Sequence, residues 1–376
     1  MAWLRTSSGV RKEKTESLRI RELCTRAVAV PMRRPLATSN GTITAAPLLL
    51  LDLATDEGIT GRAYLFAIQT AHLAPIAKLV EAMGEAIAGD VLAPFEIERK
   101  LRARYTLLGV HNIVLFAMSG VDLCAWDALG QALGEPFARL AGGARRPLRA
   151  YNSNGLGLMP PKALAREAEA LVNDGFAAVK LRLGRPRAED DLAALRAVKK
   201  AIGPGIALMV DFNQALTVAE AIRRGRMIDD EGGVAWIEEP VRADDFAGCA
   251  KVAREVATPI QIGENFMGPE QMAQALAEGA ADYVMPDVQR IGGATGWMRA
   301  AALAQAAGVE MSSHLFPEAS AQLLAVTPTC HWLEYMDWAE PVLAEPATVK
   351  NGQVLGPSGP GFGMRWNEKA VRKYAL

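Results

Sequence analysis

The chain has 376 residues with an apolar fraction of 50%, enough to bury a large core and to divide into two domains. Its 41 basic and 42 acidic residues nearly cancel. The resulting net charge of -1 excludes the one-signed surface that nucleic acid or a membrane would need. The expected partner is a small molecule, recognised by a local constellation of side chains.

The first twenty residues (MAWLRTSSGVRKEKTESLRI) carry charge throughout and hold no apolar core of signal-peptide length. Residues 1–20 therefore read as a basic leader, open to disorder, on a cytoplasmic protein. No run of about 18 uninterrupted apolar residues offers a membrane span. Cys24, Cys124, Cys249 and Cys330 are scattered without a CxxC pair, as buried small hydrophobes in a reducing compartment are. Residues 20–66 predict strands, RAVAVPM and then APLLLLDLATDEGITGRAYLF, with Asp56-Glu57-Gly58 supplying a reversal. Pro35–Thr44 (PLATSNGTIT) is polar and reads as a mobile loop. Residues 70–142 change to a helical period rich in Ala and Leu. Strands followed by helices predict a separate α+β domain over residues 21–146.

From residue 147 strands and helices alternate: RPLRAYNS, then helix PPKALAREAEALVNDG, FAAVKLRLG, then helix DLAALRAVKKAIG, GIALMVD, and so on to VEMSSH. Such alternation over residues 147–345 predicts an α/β fold of the (β/α) barrel type. An open dinucleotide-binding sheet would want a GxGxxG turn after its first strand, which is absent. Residues 346–376 return to Gly/Pro-rich turns and are expected to fold back on the first domain.

Six residues each close a short apolar run: Asp211, Glu238, Glu264, Asp287, His314 and Glu334, at steps of 27, 26, 23, 27 and 20. Those steps match one strand plus its return helix, so all six side chains come to one end of the sheet. Asp211, Glu238 and Glu264 end consecutive strands, and three anions share a pocket only if a hard cation neutralises them. Mg²⁺ suits such an all-oxygen site, with Mn²⁺ as the alternative. Glu239, next to Glu238, points the other way on a strand. Lys180 and Arg182 share a face of VKLRL, and two cations in a buried strand require anions nearby. Asp287, one strand before His314, can hold one imidazole nitrogen and make the other more basic. His72, His111 and His331 have no such setting. Glu334 has no obvious partner, and a bound carboxylate beside it would raise its pKa. A metal between cations and a His–Asp pair suits abstraction of a proton next to a carboxylate, because the enediolate charge spreads onto the ion.

The motifs VDFNQ, WIEEP, GENFMGPE, MPDVQRIGG, TGWMRA, SSHLFPE and TPTCHWLE occur in that order, and with them the chain resembles the enolase superfamily, mandelate racemase subgroup, from about residue 22 onward. The resemblance implies an α+β capping domain, completed by residues 346–376, over a (β/α)7β TIM-like barrel, assembled as a homo-oligomer (octamer or dimer). It implies Mg²⁺ on Asp211, Glu238 and Glu264, and His314 with Asp287 as general base. It places Glu334, Lys180 and Ser153 on the substrate carboxylate or the enediolate. Asn154, Asn213 and Asn40, with Leu36, Ile43 and Ile68 of a lid, would complete the substrate pocket. The racemase of this subgroup has a second lysine where this chain has Arg182. Arginine stays protonated near neutral pH, so it serves as a bidentate donor or lowers the pKa of Lys180, and not as a second base. The expected reaction is dehydration of an acid sugar or related hydroxy acid through an enediolate. Racemisation or epimerisation of a 2-hydroxy acid is the alternative, and a carboxylate-binding barrel without catalysis a remote third.

Overall fold

A computed structural model of the chain describes residues 18–376, so the expected leader lies outside the described residues as far as residue 17. Three antiparallel strands come first, β1 (Ile20–Thr38), β2 (Gly41–Thr55) and β3 (Thr60–Phe66), in the order β1-β2-β3. Gly58, at φ 79°, makes the expected reversal between β2 and β3. The segment expected to be a mobile loop is instead the end of a long β-hairpin. Leu36 pairs with Ile43 and Thr38 with Gly41, leaving only Ser39 and Asn40 as the turn. The polar composition of that stretch belongs to strands that leave the core, and polarity alone does not separate such strands from a loop.

Helices α1 (Leu73–Ile87) and α3 (Asn112–Leu133) pack on this sheet, and α2 (Pro94–Arg104) packs on those two helices. With 22 residues α3 is long and apolar enough to span a membrane, but 83% of its most apolar window is buried inside the protein. Its mixed hydrophobicity follows from burial on nearly every side, against β3, β2 and α1. Close approach needs small residues: a Cβ on Gly61 would lie 2.0 Å from the Cys124 carbonyl oxygen and 2.8 Å from Ala128.

After a short helix α4 (Phe137–Leu140), the barrel strands are β4 (Leu148–Asn152), β5 (Ala178–Arg182), β6 (Ala207–Asp211), β7 (Ile237–Glu238), β8 (Ile260–Ile262), β9 (Tyr283–Val284), β10 (Glu310–Met311) and β11 (Leu333–Tyr335). A helix lies between each consecutive pair, α5 (Pro161–Asn173) through α11 (Pro317–Leu324), giving (β/α)7β. Parallel pairing runs from β10 back to β4, and β11 pairs with β4. The ring closes through a bridge between Met311 and Cys330 and a hydrogen bond from Ser313 N to Trp332 O (3.0 Å). The hairpin β12 (Thr348–Lys350) and β13 (Gln353–Leu355) adds antiparallel to β4. The last helix, α12 (Glu368–Tyr374), returns to the first sheet, where Val28 bridges Ala375 and Arg26 Nη1 meets Glu368 Oε2 at 2.7 Å.

Strand alternation stacks the barrel interior in layers. Tyr151, Met209, Trp236 and Trp332 form an aromatic floor, with Tyr151 and Trp236 edge to face at 5.4 Å. Two residues further on, the same strands carry Ser153, Asp211, Glu238 and Glu334. The floor excludes water below, so the polar layer can open only toward the first domain.

Gly61→Ala should lower stability by about 1–3 kcal/mol through overpacking between β3 and α3, read as a lower urea midpoint with an unchanged slope.

Candidate active site at the barrel mouth

Strand register places the polar layer. Arg182, Asp211 and Glu238 are successive cross-strand partners on β5, β6 and β7. Glu264 follows β8, and Asp287 bridges directly to His314. Five non-glycine residues in these strand-end turns hold positive φ: Asn213, Gln214, Glu239, Leu315 and Phe316. Each such conformation costs on the order of 1–3 kcal/mol and persists only where its surroundings enforce it. Strain thus concentrates around one point.

Carboxylate oxygens of Asp211, Glu238 and Glu264 lie within 4.8 Å of one another. An octahedral cation with bonds near 2.1 Å sets its ligand oxygens roughly 3–4 Å apart, so a small adjustment brings all three to one ion. Burial, reinforced by Asp211, Glu334 and Glu264, pushes the Glu238 carboxyl up to about 8 despite the opposing charge of Lys180. A cluster so short of positive charge, offering only oxygen donors, fits a hard divalent cation.

Lys180 is fully buried among these acids, with Nζ at 2.6 Å from Glu238, 2.7 Å from Glu334 and 3.4 Å from Asp211. Burial alone would lower its pKa, but the three carboxylates outweigh burial and hold the amine protonated. Glu334, expected to lack a partner, has three: it accepts from Lys180, from Ser153 Oγ at 2.7 Å and from Leu315 N at 2.9 Å. Burial favours its neutral form, yet Lys180 and His314 draw its pKa well below the usual range. In the free site this carboxyl is ionised.

His314 Nδ1 lies 2.6 Å from Asp287 Oδ2, while Nε2 faces Glu264 at 3.4 Å and Glu334 at 3.7 Å. The second Asp287 oxygen accepts from Gln289 N at 2.7 Å, which fixes the carboxylate. Burial would lower the imidazole pKa, but Glu264, Glu334 and Asp287 raise it to about 9.

Arg182 does not face the acids. Its Nη1 donates to the Ser153 and Gly155 carbonyls at 2.6 and 3.1 Å, and its Nη2 to Ser153 Oγ at 2.7 Å. Its charge does lower Lys180, as expected, but the carboxylates prevail. It holds the turn that carries Ser153.

The remaining pocket residues are less uniform. Asn213 donates to Asp211 Oδ2 at 2.9 Å, and its own Oδ1 is buried without a partner among the described residues. Asn40 reaches from the hairpin tip to Asn213 O at 3.0 Å, and Leu158 N donates to Ala37 O at 2.8 Å, so the hairpin lies on the barrel mouth. Asn154 is buried and its amide is spent on Asn152 Oδ1 and Asp337 N. Leu36 is buried and Ile43 partly buried, while Ile68, at φ 66°, is more exposed.

Three neighbours escaped sequence reasoning. Glu239 lies outside the cluster of Asp211, Glu238 and Glu264, as expected, and is buried, bonded to Asn265 (2.6 Å) and Gln214 (3.1 Å). Its positive φ, in the turn just after β7, and its two amide partners were not readable from alternation. Asn265 also contacts Glu264 at 3.3 Å, and its place next to that acid was a usable signal. Trp236 Nε1 donates to Glu238 Oε2 at 3.3 Å, and its spacing of two residues from Glu238 already placed it on the same strand face. His331 is structural, packed on Tyr283 with ring centroids 4.6 Å apart.

A two-domain chain whose barrel mouth gathers these carboxylates defines an enzyme class, and the comparisons agree. Residues 20–142 match the mandelate racemase / muconate lactonizing enzyme N-terminal domain, and residues 163–370 the enolase C-terminal domain-like family. The chain belongs to the mandelate racemase / muconate lactonizing enzyme family of the enolase superfamily. An enolase from alpha pretobacterium bal199, solved with bound Mg, is 44% identical, with a TM-score of 0.93 over 96% of this chain and all (100%) of that one. A Bradyrhizobium enolase complexed with magnesium and mandelic acid is 43% identical, with a TM-score of 0.91 over 96% and 99% of the two chains. The L-talarate/galactarate dehydratase of Salmonella typhimurium is 28% identical over 88% of this chain and 83% of its own length.

Mg²⁺ should raise the melting temperature and EDTA should reverse the rise, because the ion binds only the folded site. Glu264→Gln should weaken Mg²⁺ by at least about 10-fold in calorimetric titration, since even residues that only support metal ligands carry effects of that size.

Proposed function

We propose that this chain is a Mg²⁺-dependent lyase that removes the α-proton of a 2-hydroxy carboxylate, most simply an acid sugar or related hydroxy acid, and expels its β-hydroxyl. One observation carries the choice of dehydration. His314, oriented by Asp287, is the single well-placed base, whereas Arg182 is turned to backbone carbonyls and Lys180 is held protonated by three acids. A racemase needs bases on both faces of the α-carbon.

In this reading Asp211, Glu238 and Glu264 hold the ion. Bound there, Mg²⁺ supplies positive charge that favours the enediolate and offsets part of the anionic field that keeps His314 protonated. Ser153 Oγ and Lys180 Nζ donate to the substrate carboxylate. That carboxylate adds like charge beside Glu334, which takes up a proton and becomes a donor. The unpartnered Asn213 Oδ1 accepts from a substrate hydroxyl. His314 Nε2 takes the α-proton and returns it to the departing β-hydroxyl as water, and the enol left behind becomes a 2-keto acid. Leu36, Asn40, Ile43, Ile68 and Asn154 line or support the pocket from the hairpin and the adjoining turns. The mandelic acid bound by the Bradyrhizobium relative favours a second reading, racemisation or epimerisation with Lys180 as the unusual second base. A cytoplasmic location and a homo-oligomeric assembly, octamer or dimer, belong to the same proposal and rest on composition and on family membership.

Mono- and diacid sugars assayed with Mg²⁺ should give a 2-keto product for at least one member, and no turnover across the series would overturn the dehydratase reading. His314→Asn should lower that turnover by about 10²–10⁴ while Mg²⁺ affinity persists. In heavy water, α-deuterium should enter substrates of one configuration only; entry into both enantiomers would select the racemase.

A further inference from the structure

Strand β3 is one edge of the first domain's sheet. Ala67 N donates inward to Pro47 O, so the N–H and C=O of Phe66 face outward, where a buried edge would leave them without partners. Both are taken by one side chain from the barrel. Phe66 N donates to Gln289 Oε1 at 2.7 Å, and Gln289 Nε2 donates to Phe66 O at 3.1 Å. The amide acts as a one-residue strand on the sheet edge. Gln289 is only 1% exposed, and an unmade bond at that depth is costly.

The backbone of the same residue is bound to the catalytic pair. Gln289 N donates to Asp287 Oδ1 at 2.7 Å, and the other oxygen of that carboxylate holds His314. Phe66 in turn lines a small apolar cavity with Leu315, Phe316, Met336 and Trp338, and Leu315 is the residue after His314. The Phe66 ring packs on Trp338 at 4.8 Å between centroids. A single glutamine thus ties the orienting carboxylate of the base to the strand that supplies an apolar wall beside it.

We propose that Gln289 is a positioning residue that fixes the β3 wall relative to His314, and so sets how the group distal to the substrate carboxylate is accepted. The proposal rests on the α-proton chemistry above. It separates two tasks: the backbone N–H serves the base, and the side chain serves the wall. A substitution that keeps the first and removes the second changes distal-group selectivity without changing the base.

Gln289→Met, close in size but without the amide, is compared with wild type in two ways. Hydrogen exchange of the Phe66 amide should quicken at least tenfold in the variant; unchanged protection would overturn the tie itself. With Mg²⁺, α-deuterium incorporation is then followed for mandelate, which has a bulky distal group, and lactate, which has only a methyl. KM for mandelate should rise about tenfold, while KM for lactate changes less than twofold and the pH profile of kcat keeps its midpoint. An equal loss on both acids, or a shifted pH profile, would overturn the positioning role. Should wild type exchange neither acid, the same KM comparison is made between the acid sugar that it dehydrates and glycerate, which lacks the distal carbons, with the same two outcomes; no turnover of any acid sugar overturns the functional reading instead, and Phe66 amide exchange then decides the tie. Gln289→Glu keeps the acceptor for Phe66 N–H; its amide exchange should fall between the other two, and it replaces Gln289→Met if that variant does not fold.

Discussion

The site depends on crowding carboxylates into a dry barrel mouth with too few cations to neutralise them. Lys180 contacts Glu238, Glu334 and Asp211 at once, and burial leaves no water to screen the excess. Such a cluster is tolerable only if a divalent cation completes it. Burial and the neighbouring acids raise Glu238, and the acids raise His314 and keep Lys180 protonated, while the charges of Lys180 and His314 draw Glu334 down. Glu334 alone answers to the cations, because it is the acid that both Lys180 and His314 approach.

The rest of the fold makes the crowding possible. An aromatic floor of Tyr151, Trp236 and Trp332 closes the barrel below the charges, so their field is not dissipated into solvent. The β1–β2 hairpin covers the mouth from above through Asn40 and Ala37. Strained turns at Asn213, Glu239 and Leu315 aim the functional side chains, and the strain is held by the packed helices behind them. Stability in the shell is spent on geometry at the centre.

Much of this was legible from residue order. Even spacing of Asp211, Glu238, Glu264, Asp287, His314 and Glu334 marked strand ends, because parallel strands with return helices put like positions at the same end. The alternation from Trp236 to Glu238, or from Lys180 to Arg182, marked a shared face. Less legible were the places where local rules fail. Alternation turned Glu239 away from Glu238, but it did not reveal the buried network that Glu239 forms with Asn265 and Gln214 at a positive φ. The polar stretch from Pro35 to Thr44 is an ordered hairpin because its partners lie far along the chain on the barrel, Asn213 for Asn40 and Leu158 for Ala37.

The amino-acid order by itself determined the barrel, the acidic triad of Asp211, Glu238 and Glu264, and the pairing of His314 with Asp287, since each follows from strand periodicity and charge compensation. Only the tertiary structure decided the direction in which Arg182 points. Its companion Lys180 on strand β5 and the anions across the barrel made an inward guanidinium reasonable, yet the Ser153 turn offers three acceptors closer to it. Sequence registers which face a side chain leaves from, but the partner that captures a long, flexible cation is set by distances across the fold.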